Sequence, residues 1–177
     1  MILNEDRQFP APLAAAMAIR LDLVGEDGVD FDPFTAFLSA EETTDWFRAW
    51  TGNREVSGDE FRVFGKDGTG GYASFWLARP GRTLVEQPVV FLGSEGEISV
   101  VAGDLGAFLW LLADGFGPGE AAAWCDGDPV QRPHRELTAV AERCAPDRRA
   151  SAVAVMERAA GEFPGFEAMI MRLCRDE

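Results

Sequence analysis

The chain has 177 residues, which suits one domain better than two, and 47% of them are hydrophobic, enough for a packed core without disulfide or metal staples. A net charge of −14, with a single lysine, Lys66, among sixteen basic residues, argues against nucleic acid and anionic membrane surfaces as partners. The same charge suits either a basic protein partner or simple solubility.

The N-terminus opens MILNEDRQFPAP, with acidic residues ahead of a short apolar run. That pattern fits neither a signal peptide nor a membrane span, and a cytoplasmic location is expected. An Ala-rich stretch from Ala11 to Val24 predicts a helix beginning after Pro12 and ending in the GEDGVDFDP turn region. Ser39 with Glu42 three residues on is a capping box. It predicts a helix over Ala40–Thr51, stopped by Gly52, with Trp46 and Trp50 sharing a face.

A strand-rich middle follows. Phe61–Phe64 and Tyr72–Ala78 flank the turn signal KDGTGG, and Arg79–Gly81 breaks the second strand. Val89–Leu92 and Ile98–Ala102 are joined by the short GSEG turn, which predicts an antiparallel hairpin. Asp104 then caps a helix on which Leu105, Phe108, Leu109 and Leu112 fall at i, i+3, i+4 and i+7, with Gly115 as its stop. GPGEAAAW opens a short helix. Leu137, Val140, Ala141 and Cys144 repeat the helical spacing, a longer helix runs from about Arg148 to Gly161, and Phe166, Met169, Ile170 and Leu173 close the chain. Strands grouped at about 61–102, with helices before and over 104–177, predict an α+β fold built as a single domain.

The segment from Val63 to Gly115 resembles the SUKH superfamily, to which the fungal cell-wall assembly regulator also belongs. The residues that carry the likeness are FGKDGTGGYASFW, PVVFLGSEGEISVVA and the helix DLGAFLWLLADG. The resemblance implies a mixed or antiparallel sheet of about four or more strands packed by helices, and no enzyme. Bacterial members are mostly considered immunity proteins that neutralise a cognate polymorphic toxin, and fungal members look like regulatory scaffolds. Both roles bring a protein partner and no catalytic residue.

The chemistry-bearing residues agree with a non-catalytic reading. GKDGTGG places Lys66 ahead of the glycines and a strand after them, so it reads as a hairpin turn, not a phosphate loop. Cys125, Cys144 and Cys174 are widely spaced, and His134, the only histidine, has no cysteine at ligand spacing, so no metal or other cofactor is expected. Asp126 and Asp128 resemble half a calcium loop, but Leu137 stands where its distal glutamate belongs. Glu95 and Glu97 at a hairpin tip suit contact with a basic partner better than acid–base chemistry. Trp46, Trp50, Trp110 and Trp124 are either core or interface anchors. Trp110 falls off the apolar stripe of its helix, so it faces a second layer or a partner. The candidate partner-binding residues are therefore Glu95, Glu97, Trp110 and Trp124. A cytosolic regulatory module and a hydrolase using scattered carboxylates are the competing functions.

Overall fold

The computed structural model describes residues 7–21, 29–125 and 132–175. Its five strands form one antiparallel sheet in the order of the chain: β1 (Asp32–Pro33), β2 (Phe61–Lys66), β3 (Tyr72–Trp76), β4 (Val89–Leu92) and β5 (Ile98–Ala102). The helices are α1 (Ala11–Met17), α2 (Ala40–Thr51), α3 (Leu105–Ala113), α4 (Pro118–Ala123), α5 (Arg135–Cys144), α6 (Ala152–Glu162) and α7 (Phe166–Leu173). The α+β class and the hairpin of β4 and β5 stand as the sequence predicts them. The helix read from Ala11 to Val24 is shorter, ending at Met17, and Asp126 and Asp128 lie outside the described residues.

Helices cover both faces of this sheet, and the strand alternation explains how. On β3 and β4, Ala73, Phe75, Val89 and Phe91 point into a larger core shared with α1, α3 and α5. Val90 and Leu92 point the other way, into a smaller core with Phe47 of α2 and Phe166 and Ile170 of α7. A strand buried on both faces needs apolar residues at every position, hence the unbroken run Val89–Leu92. Helix α6 spans the two cores, giving Val155 and Met156 to the larger and Ala159 to the smaller.

A bulge between Val63 and Gly65 disturbs the β2–β3 register. It turns Phe64 into the larger core, while the missing side chain of Gly65 makes room for Phe31, whose ring carbon lies 2.3 Å from where a Cβ would stand. The same logic holds at Gly71. A Cβ there would lie 2.2 Å from the buried Phe91 ring and 2.9 Å from the Gly93 backbone. Gly71→Ala is therefore expected to cost about 1–3 kcal/mol in chemical denaturation, the usual range for overpacking. Gly161→Ala, with open space at its Cβ position on α6, should be neutral or stabilising. Equal stabilities for the two variants would contradict this packing.

The helix ends follow their sequence signals. Ser39 Oγ accepts from the Glu42 N–H at 3.1 Å, and Glu42 Oε2 accepts from the Ser39 N–H at 2.8 Å. The Ser39 N–H first, and then the Ser39 hydroxyl, hold the Glu42 carboxyl below the usual carboxylate range. Gly52 then ends α2 in the left-handed region at φ 63°. At α3, Asp104 Oδ1 accepts from the Ala107 N–H at 2.8 Å.

Candidate functional site

The loop Gly93–Glu97 closes the β4–β5 hairpin at one end of the sheet. Gly93 N–H donates to Glu97 O at 2.8 Å, and Gly96 adopts φ 96°, which allows the tight reversal. Glu95 is exposed. Glu97 is half-buried, because its side chain folds over Gly93, where a Cβ would lie 1.8 Å from Oε2. Its Oε2 also accepts from the Glu95 N–H at 3.2 Å. The two carboxylates thus share a tip but differ in freedom.

Helix α2 fixes this tip to the rest of the fold. The indole N–H of Trp50 donates to Gly93 O at 2.8 Å. One turn earlier, Trp46 stacks on Tyr72 with ring centroids 5.1 Å apart and an interplanar angle of 24°. Phe34 meets the same tyrosine edge-on at 5.9 Å. Phe34, Tyr72, Trp46 and Trp50 are all half-buried, so each ring keeps a solvent-facing part. The cross-strand register sets Asp32 opposite Lys66 and Lys66 opposite Tyr72, so their side chains emerge on the same sheet face. The result is an aromatic strip with Asp32 and Lys66 beside Tyr72 on the sheet and Glu95 and Glu97 on the turn that Trp50 holds.

Of the residues expected to meet a partner, Glu95 and Glu97 lie beside this strip and the two tryptophans of α2. Trp110 does not. It is 4% exposed, its indole N–H donates to Ala145 O at 2.7 Å, and Arg149 lies over its ring at 4.9 Å. Its assignment to a contact surface is corrected: it faces the second helical layer, because α3 is buried nearly all round. Trp124 is half-buried at the end of α4 and packs on the larger core. Its indole nitrogen is buried with no hydrogen-bond partner among the described residues.

The alternative chemistries are set by equally definite contacts. His134 is the cap of α5, where Nδ1 accepts from the Leu137 N–H at 3.3 Å. Glu120 has a raised pKa, caused first by burial of its carboxyl and also by the Asp30 charge, opposed by the Asp30 N–H and Arg132. Asp30 itself accepts from the Gly68 N–H at 2.9 Å, which ties it to the β2–β3 turn. Among the described residues, no group of three or more His, Cys, Asp or Glu side chains is placed to hold a metal ion. Nor is any described helix long and apolar enough to cross a membrane.

The aromatic strip was not assembled by sequence reasoning. The Trp46–Trp50 spacing signalled a shared helical face, but Phe34 and Tyr72 reach it only through the sheet register. Compared with known proteins, the chain matches no family model, no curated protein and no solved structure.

Proposed function

We propose that this is a non-catalytic protein-binding domain of the SUKH type, acting in the cytoplasm to neutralise a cognate toxin through a basic surface of that toxin. The observation that carries the reading is the half-buried strip of Phe34, Tyr72, Trp46 and Trp50 beside the carboxylates of Glu95 and Glu97. Tryptophan and tyrosine supply large contact area at low entropic cost, and they dominate binding hot spots. Carboxylates at the rim select cations and speed encounter. Arginine suits such a face doubly, since its guanidinium pairs with carboxylates and stacks on aromatic rings.

The test is co-expression with the products of neighbouring genes. A stoichiometric complex with a basic domain whose toxicity it abolishes supports the reading. A captured partner that is not toxic would return the regulatory-scaffold alternative. Trp46→Ala is expected to weaken the complex by about 2 kcal/mol or more, the hot-spot range. Calorimetry on the folded variant measures this. An unchanged affinity would remove the strip from the interface.

A further inference from the structure

A second feature lies at the opposite end of the sheet. The acidic tip stands where β3 begins and β4 ends, whereas a cleft of about 440 Å³ opens where β3 and β5 end. One wall is the segment after β3, carrying Arg79, Arg82 and Glu86. The floor is the corner between β5 and α3, with Gly103, Asp104 and Ala107. Helix α6 forms the other wall with Val155, Arg158 and Glu162, spaced to share one helical face, and Arg148 stands beside them. Four arginines therefore meet three carboxylates in one cleft of a chain whose net charge is −14.

The carboxylates are already engaged. Glu86 Oε2 accepts from the Thr83 N–H at 2.9 Å and its hydroxyl at 2.8 Å, and Oε1 faces Arg82 at 3.2 Å. Asp104 caps α3 with one oxygen and meets Arg148 with the other at 3.1 Å. Glu162 pairs with Arg79, which also donates to the carbonyls of Glu86 and Gly103 and lies over the Phe163 ring. Arg79 is thus a structural clamp.

Among the described residues, donors remain on Arg148 and Arg158, and on Arg82 beside its pair with Glu86. Arg148 makes one ion pair, and its aliphatic stem lies on Gly106, where a Cβ would come within 2.8 Å of Cγ. No ion pair or hydrogen bond joins the Arg158 side chain to another described residue. Both arginines are exposed, so a ligand meets no barrier to entry.

We propose that this cleft binds a compact phosphate-type oxyanion between Arg148 and Arg158, with Arg82 at its side. Guanidinium groups present planar forks of N–H donors that match the oxygen spacing of phosphate, and the bonds are charge-assisted. The cleft volume lies within the range of small-ligand sites. This site is separate from the aromatic strip and stands or falls independently of the toxin-binding reading.

The test is calorimetric titration with inorganic pyrophosphate at constant ionic strength, which removes simple screening as a cause. Saturable binding at one site is expected, weakened about tenfold or more in the Arg148→Ala, Arg158→Ala double variant. Arg135→Ala removes the same kind of charge from α5, outside the cleft, and should bind as the parent does. A parallel titration with ATP distinguishes the source of the phosphate: displacement of pyrophosphate by ATP supports a nucleotide-borne group, and its exclusion supports the free anion. Absence of saturable heat up to about 10 mM pyrophosphate overturns the proposal. So does an equal loss in Arg135→Ala, or citrate binding as tightly as pyrophosphate. Thermal melting of each variant confirms that a loss of binding is not a loss of fold.

Discussion

Leu109→Ala is expected to destabilise the protein by about 2–5 kcal/mol, the range for truncating a buried leucine. Leu109 is 1% exposed in the middle of α3, and that helix lies between the sheet and α1, α5 and α6. Seven of its nine residues are buried, including the consecutive run Phe108–Ala113. A cavity opened there is walled on every side by elements that are themselves packed, so little collapse can offset the lost contacts. For a chain of this size the loss corresponds to a fall in Tm of roughly 4–20 °C. Met171→Ala, at a side chain 56% exposed on α7, should stay within about 0.5 kcal/mol. Denaturant melts of the two variants decide the matter. A loss under about 0.5 kcal/mol at Leu109 would show that α3 is not the central helix.

What the sequence made legible follows from how local each signal is. The bounds of α2 could be read because the Ser39–Glu42 box and Gly52 are local devices whose geometry depends on neighbours in the chain. Val89–Leu92 and Ile98–Ala102 could be read because their apolar runs end at glycines or polar turns. Strand β1 could not, being two residues long and ending in Pro33, and it exists only because β2 offers it an edge. Trp110 was ambiguous for a related reason. Periodicity reports one apolar stripe, whereas α3 is enclosed by helices on its other sides as well.

The two candidate sites show the same limit more sharply. Arg82 and Arg158 are 76 residues apart in sequence, yet they line one cleft because α6 crosses the end of the sheet that the loop after β3 also covers. Phe34 meets Tyr72 only through the pairing of β1, β2 and β3. Composition gave the net charge but not its distribution. The topology separates an acidic tip from a cleft in which four arginines meet three carboxylates, so the chain's negative charge is spread unevenly over the two ends.

Reversing the tip, with Glu95→Lys and Glu97→Lys together, is expected to slow association with a basic partner about tenfold or more at low salt. Encounter rates respond to charges at the rim of an interface, whereas residence time is governed by buried anchors. The tip suits that role, since Glu95 is exposed beside the aromatic strip and the Trp50–Gly93 hydrogen bond fixes the hairpin to α2. The two positions should not contribute alike. Glu95 projects freely, so Glu95→Lys alone should account for most of the change in rate. Glu97 is folded over Gly93 and accepts from the Glu95 N–H, so Glu97→Lys should also loosen the turn, at a cost within about 1 kcal/mol of stability. Raising salt should slow the parent protein markedly, because the Debye length shrinks from about 10 Å at 0.1 M to about 3 Å at 1 M. The double variant should respond less. Trp46→Ala should act on the other constant, raising the dissociation rate while leaving the salt dependence of association intact. Stopped-flow association of the three proteins at two ionic strengths separates these contributions. An association rate indifferent to both salt and the double reversal would leave the aromatic strip as the sole determinant of binding.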